Sequence, residues 1–257
     1  MGLEMSSLLK ANFVNKFFKY TALASVISMG MTLFTDASAG NRRVQSYRFV
    51  PVEQREHINQ FSNYHKIFYG SELCNSPDYY CVKVHRGDTW AKLFPNPDHG
   101  ELVRRLNRTN KNANSRPWIL VPKDLDKNYL EYSPLPQKIE PSDRRRVIAD
   151  ISEHAFGAYE PDGTLKWWGP ISTATKGHYT QKGKFRIYNK KGADCYSPQY
   201  RARMPYCMHY YKGFAMHAFQ SVPAYNASHG CIRMFYNDAK WLNRGFVNVG
   251  SELEVRD

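Results

Sequence analysis

The sequence predicts a mostly β fold: a β-sandwich with one main helix, preceded by a small strand–helix–helix–strand (βααβ) unit. Three observations predict it. After Arg144 the chain runs through short apolar or alternating segments divided by turn residues, the pattern of strands and hairpins. Only one stretch there has helical spacing. Upstream, residues 79–124 place two amphipathic helical patterns between two strand-like runs. With 257 residues and 42% hydrophobic content, the chain can bury a sizeable core in one or two domains.

Residues 1–39 differ in kind from the rest. Lys10, Lys16 and Lys19 precede an apolar stretch from Tyr20 to Phe34, and Ala37-Ser38-Ala39 forms an A-x-A cleavage site before Gly40. This reads as a secretory signal peptide, so export is expected. A membrane span needs about 20 unbroken apolar residues, whereas Ser25, Ser28, Gly30 and Thr32 interrupt this stretch. No stable span is expected after cleavage. Residues 40–78 are polar and aromatic without a clear period and are left unassigned.

The βααβ unit begins with a strand at Tyr80 to Val84. Gly87-Asp88-Thr89 supplies a turn and helix cap, and Trp90, Leu93 and Phe94 carry the first helical pattern. Pro95 and Pro97 break that helix early. Leu102, Val103 and Leu106 share one face of the second helix, and Ile119 to Pro122 closes the unit as a strand. Residues 125–143 contain Pro134, Pro136 and Pro141, a composition that favours an extended, semi-rigid linker and a domain boundary near residue 140.

In the C-terminal part, Val147 to Ile151 is apolar, and Ala155 to Tyr159 meets Leu165 to Trp168 across the turn Glu160-Pro161-Asp162-Gly163. Further strands are expected at Pro170 to Thr175, Gly183 to Tyr188, Met204 to Tyr211, Phe214 to Phe219 and Phe246 to Val255. The one helix should start with Asn237 as N-cap, turn Ala239 and Leu242 inward, and end at Gly245.

The net charge of +13 is drawn to anionic surfaces, but the basic residues are scattered apart from Arg144 to Arg146. No nucleic-acid-binding module appears, and no nucleic acid partner is expected. Five cysteines frame the redox question. Cys74 and Cys81 lie seven apart and Cys195 and Cys207 twelve apart, close enough to bridge locally in an oxidising compartment; four cysteines still allow three pairings, and all four could be reduced. Cys231 is left over.

Around that thiol the chain concentrates chemistry. Ser228-His229-Gly230-Cys231-Ile232-Arg233 follows His217 by a short interval, supplying a thiol, two imidazoles, a glycine and a fixed positive charge. A free thiol titrates near 8.5, so it needs a base at neutral pH, and His217 is the candidate. His217 lies in an expected strand, from which it can meet Cys231 on a neighbouring strand. His229 either shares the thiol's face or is turned away at Gly230 to orient backbone or substrate. The N–H groups of Gly230 and Cys231 are candidate oxyanion donors. Arg233 either receives a carboxylate or braces the loop. A buried structural cysteine and a core histidine are the bland readings of the single residues, and the joint occurrence outweighs them. Lacking H-E-x-x-H and C-x-x-C, the chain makes a poor zinc site, and neither metal nor cofactor is expected.

The run Ser228 to Arg233, with His217 before it, resembles the active-site signature of L,D-transpeptidases with a YkuD catalytic domain. The match extends over Ile171-Ser172-Thr173, Thr180, Gly183, Phe185, Met204-Pro205-Tyr206 and Asn237-Asp238-Ala239. Residues 79–124 resemble a LysM module, which binds chains of N-acetylglucosamine sugars, through Tyr80, Val82, Val84, Gly87, Asp88, Thr89, Leu93, Leu106, Asn107, Asn110 and Ile119 to Pro122. Trp90 stands where an aliphatic residue is usual. The whole arrangement is similar to enhanced-entry proteins of the EnhA type.

The resemblance implies a domain order of signal peptide (1–39), unassigned segment (40–78), LysM-like module (79–124), linker (125–143) and catalytic domain (144–257). It implies a periplasmic or wall-associated enzyme acting on peptidoglycan, with Cys231 as nucleophile, His217 as base and Gly230 with Cys231 as oxyanion hole. Ser228 and His229 would belong to the catalytic turn. Ala218 would orient the base through its backbone, Arg233 would shape the pocket, and Tyr206 with Tyr210-Tyr211 would lie in or near a lid over the donor site. Alternatives are an L,D-carboxypeptidase using water as acceptor and a catalytically weak wall-binding or host-contact protein. The acceptor and the oligomeric state are left open. Three departures from the family pattern stand out: a short ten-residue loop between His217 and Ser228, Ala218 in place of a frequent glycine, and Gln181 in place of a proline.

Overall fold

The structure, a computed structural model, describes residues 49–63 and 65–257. The expected signal peptide lies outside the described residues, which belong to a unit running from Ser46 to Asp257. Among them no helix is long and apolar enough to cross a membrane.

Strand, helix, helix and strand follow in the expected order. Tyr79–Lys83 (β1) pairs antiparallel with Trp118–Pro122 (β2), with Cys81 opposite Leu120. Thr89 caps Trp90–Leu93 (α1) through its hydroxyl, and Pro95 ends that helix after one turn. Asn96 then caps Pro97–Leu106 (α2), where Pro97 occupies the first helical position. Leu102, Val103 and Leu106 are buried as expected. The fully buried Asn107 closes the unit: its side-chain amide donates to Val103 O and Leu120 O, and its Oδ1 accepts from Leu120 N–H.

The C-terminal part forms one nine-stranded sheet. Its strands are Arg146–Asp150 (β3), Ala155–Tyr159 (β4), Leu165–Ser172 (β5), Gly183–Arg186 (β6), Asn189–Lys190 (β7), Met208–Tyr211 (β10), Phe214–Ala218 (β11), Ile232–Met234 (β12) and Glu252–Arg256 (β13). They lie in the order β6-β13-β3-β4-β5-β12-β11-β10-β7, while Tyr196–Ser197 (β8) and Ala202–Arg203 (β9) form a separate hairpin. Right-handed twist accumulating over nine strands curls the sheet, so that Phe185 of β6 meets Tyr210 and Tyr211 near the opposite edge, with ring centroids 5.1 and 5.7 Å apart. The mostly β architecture is as expected, and the curl lets one sheet pack on itself around its core in the manner of the expected sandwich.

Several boundaries differ from expectation. The run expected as one strand from Met204 to Tyr211 is divided, because Pro205 and the left-handed Tyr206 (φ +57°) turn the chain before β10. The helix Tyr236–Trp241 (α3) begins after an extended Phe235, which places Asn237 inside rather than at its cap. Ala239 and Leu242 are buried as expected, and a π-turn, Leu242–Phe246, continues past α3 and includes Gly245. The final strand is confined to Glu252–Arg256.

Strands β3 and β4 are buried on both faces. Val147, Ala149, Phe156 and Ala158 point into the curled sheet, whereas Ile148, Ala155 and Tyr159 join Leu165 and Trp168 in a second core on the outside. That second core is completed by Leu102, Leu106, Trp118 and Leu120 of the βααβ unit. Residues 125–143, expected as a spacer, contribute the buried Tyr132 and Leu135, and Trp168 Nε1–H donates to Tyr129 O at 2.8 Å. The prolines bend this segment, but its apolar side chains pack.

Polar contacts lock the same junction. Arg105 of α2 forms a buried bidentate pair with Asp238 of α3, at 2.7 and 3.1 Å, and Trp167 Nε1–H donates to the same carboxylate at 2.9 Å. Arg108 lies over the Tyr69 and Trp168 rings and donates to Glu153 O. Arg105→Leu strips Asp238 of its counter-ion. Stability to urea should fall by about 3 kcal/mol; a loss under about 1 kcal/mol would show that the pair does not tie the two parts together.

Candidate functional site

Parallel pairing of β11 with β12 sets His217 beside Arg233. Cys231 lies at the bend just before β12, two residues from Arg233, so strand alternation brings its side chain to the same face. Imidazole, thiol and guanidinium line one cleft of about 440 Å³. The contact that spacing permitted between adjacent strands thus has the required topology.

The turn before the thiol is built by Ser228. Its backbone bridges to Ala174, its N–H donates to Thr173 O, and its carbonyl accepts from Thr175 N–H. The buried hydroxyl donates to Cys231 O at 2.7 Å and accepts from Gly230 N–H at 3.0 Å. Gly230 has φ +144°, and a Cβ there would stand 2.7 Å from the Phe214 ring and 3.0 Å from Tyr179 O, so a side chain is excluded. Thr180 donates to Gly230 O at 2.8 Å. Its own N–H being bonded to Ser228, Gly230 is engaged inside the turn rather than free to be the oxyanion donor expected of it.

Burial governs the electrostatics. His217 is 4% exposed, and its Nδ1 lies 2.8 Å from Ala218 O. A carbonyl only accepts, so this contact assigns the proton to Nδ1 and leaves Nε2 with a free lone pair. Desolvation, with a smaller contribution from the Arg233 charge, pushes the imidazole down to about 4. The Cys231 thiol is pushed up, chiefly by burial, against the opposing Ala215 N–H and Arg233. A neutral thiol beside a neutral imidazole is therefore the resting state at pH 7.

The two other cysteine pairs are bridged, Cys74 to Cys81 and Cys195 to Cys207, and Cys231 is free. Cys195, Cys207, Met204 and Ala215 form a small cluster against which Cys231 packs. This bridge also closes the segment that forms the cleft's far wall, including Ser197, Gln199, Tyr200 and Ala202. Nothing in the spacing marked those residues except the two flanking cysteines. Phe214 and Phe219 also line the cleft.

The remaining expected residues divide. His229 sits on the rim, stacked on Tyr200 at 5.2 Å and edge-on to His178 at 4.7 Å. Arg233 rests over the Phe219 ring at 4.2 Å and has no carboxylate partner among the described residues. Ala218 is buried and acts through its carbonyl. Tyr206 and Tyr210, expected over the donor site, are instead core residues, 5% and 4% exposed, and neither lines the cleft. Tyr206 turns toward Tyr236, and Tyr210 packs on Phe185. The left-handed backbone at Tyr206 and the curl of the sheet turn both rings inward.

A single unpaired thiol and a buried imidazole on adjacent strands, under a cystine-closed wall, define a site equipped for cysteine acyl transfer. Residues 144–255 match the family model of the YkuD L,D-transpeptidase catalytic domain. Solved structures similar to the chain include an L,D-transpeptidase from Xylanimonas cellulosilytica DSM 15894 (23% identity, 47% of this chain and 64% of that one, TM-score 0.42). Another is from Stackebrandtia nassauensis (23%, 49% and 62%, 0.44). A third is L,D-transpeptidase 3 from Mycobacterium tuberculosis, solved with a faropenem-derived adduct (22%, 44% and 60%, 0.40). The chain spans about three-fifths of the length of these structures. No curated protein matches it.

Two measurements check the site. Titration of thiols in denaturant without reductant should find one per chain; five would contradict the bridges. An imidazole held near 4 in the fold takes up its proton less readily than one near 6.5 in the unfolded chain. His217 should therefore withdraw up to about 3 kcal/mol of stability as pH falls from about 6.5 to 4. Comparing urea unfolding of the wild type and His217→Asn across that range would show the variant's profile to be flatter; parallel profiles would contradict the buried neutral imidazole.

Proposed function

We propose that the protein is an exported cysteine L,D-transpeptidase acting on peptidoglycan tetrapeptide stems. The observation that carries this reading is the common cleft of Cys231, His217 and the uncompensated Arg233 in a YkuD-type domain. In the proposed reaction the Cys231 sulfur attacks the carbonyl joining diaminopimelate to the terminal D-alanine. His217 Nε2 takes the thiol proton as attack proceeds and returns it to the departing D-alanine nitrogen. A thioester remains on Cys231. An incoming amine then attacks this thioester and gives its proton to His217, and the imidazole returns that proton to the leaving thiolate. A stem amine would yield a 3-3 cross-link, a protein lysine an attached protein, and water a trimmed stem.

Arg233 is assigned to substrate binding, since a guanidinium without a protein carboxylate matches the carboxylates of the stem. Neutral thiol and neutral base suit this scheme, because proton transfer accompanies attack and no buried charge pair has to be kept beforehand. The LysM-like unit is assigned to sugar chains of the same polymer, and the leader at residues 1–39 to export.

Digestion of muropeptides with the purified protein, products read by mass, should show loss of D-alanine with cross-linked or trimmed products. Cys231→Ala should abolish turnover, and His217→Asn should slow it by about 10² to 10⁴-fold. A carbapenem should leave a covalent adduct on Cys231. Turnover retained in Cys231→Ala, or no adduct on folded, reduced protein, would sink the proposal.

A further inference from the structure

For ten residues between His217 and Ser228 the chain leaves the sheet. This loop carries Phe219, which lines the cleft, meets the His217 ring edge-on at 5.9 Å and lies under the Arg233 guanidinium at 4.2 Å. Ser172 and Thr173 hold its second half, Tyr225 to Ala227, from within the same domain, whereas its first half, Phe219 to Ala224, is held mainly from outside. Asn110, just past α2 in the βααβ unit, makes three hydrogen bonds to it. The Asn110 N–H donates to Val222 O at 3.1 Å, the Val222 N–H donates to Asn110 Oδ1 at 2.9 Å, and Asn110 Nδ2 donates to Phe219 O at 2.9 Å. Thr109 forms a β-bridge with Pro223, and Tyr69 N–H donates to the carbonyl of Ala224, whose φ is +70°.

Both ends of this clamp are fixed. Thr109 N–H is bonded to Arg104 O, and Arg105 and Asn107 are buried and fully engaged. On the far side of the loop, Phe219 N–H donates to Met234 O in the strand after the thiol. The carboxamide of Asn110 uses donor and acceptor together, across a gap that Asp fills only in part, since it lacks the donor, and Ala not at all.

We propose that Asn110 is a positioning residue for the Cys231–His217 site, through which the βααβ unit acts in cis as a brace on the cleft as well as a wall-binding module. By fixing the backbone at Phe219 and Val222, it sets where the Phe219 ring stands between the base and Arg233. This rests on the transpeptidase reading, and misplacement of a catalytic wall by about 1 Å is enough to reduce rate up to a hundredfold.

The test compares the full-length mature chain with Asn110→Ala, Asn110→Asp and Asn96→Ala, the last losing the α2 cap without touching the loop. Two readouts are taken well below the melting temperatures: kcat and KM on a disaccharide tetrapeptide, and the rate of Cys231 alkylation by iodoacetamide against pH. Asn110→Ala should lower kcat about tenfold with a smaller change in KM, and should slow alkylation at neutral pH. Asn110→Asp, which keeps the acceptor for Val222, should fall between, and Asn96→Ala should match the wild type. If Asn110→Ala does not fold, Asn110→Asp decides on the same two readouts. Wild-type kcat and alkylation in a folded Asn110 variant would overturn the proposal. Should the wild type turn over no tetrapeptide, the transpeptidase reading fails and the alkylation arm still judges the brace.

Discussion

Burial of strands β3 and β4 on both faces is the constraint from which the remaining architecture follows. Ile148, Ala155 and Tyr159 on one face cannot stay in water once Val147, Phe156 and Ala158 on the other have entered the curled sheet. At roughly 25 cal/mol per Å² of apolar surface, leaving that outer face bare would weaken the domain by several kcal/mol. The βααβ unit and the stretch 125–143 cover it. The cover brings charges with it, and these are matched: Arg105 meets Asp238, while Arg108 meets aromatic faces and carbonyls. A buried guanidinium tolerates such a site because carboxylate, carbonyl and aromatic partners offset its desolvation.

Covering the sheet also places machinery. Asp238 belongs to α3, which follows directly from the strand after Cys231, and Asn110 reaches the loop that follows His217. The N-terminal unit therefore touches both sides of the chain that flanks the cleft. On the opposite wall, the Cys195–Cys207 bridge closes a short loop whose residues line the cleft that holds the thiol. Burial moves the His217 and Cys231 titrations from their solution values, one down and the other up, so the pair rests uncharged.

Much of this was legible from residues alone. Local signals are strong where one residue type has one physical use: Thr89 in a helix cap, Pro95 ending the first helix, and alternation along β11. The thiol, the histidine read as its candidate base and the turn before the thiol were likewise local, His217 and Cys231 lying fourteen positions apart. The misreadings were of another sort. Tyr206 and Tyr210 looked available because aromatic residues near a motif carry no mark of which face they occupy, and a left-handed residue and sheet curl turned them inward. Pro134, Pro136 and Pro141 read as a spacer because proline restricts the backbone whether or not its neighbours pack; Leu135 and Tyr132 do pack.

By itself the sequence determined the order of elements, the odd cysteine, and the candidate histidine and glycine that accompany it. These depend on spacing, parity and steric rules that act over a few residues. Only the tertiary structure decided which carboxylate Arg105 would find 133 positions away, that Asn110 would bond to the loop after His217, and that the cleft wall would come from the cystine-closed segment. Contacts between distant segments are set by which faces must be hidden from water once the sheet has curled, and no local pattern carries that information.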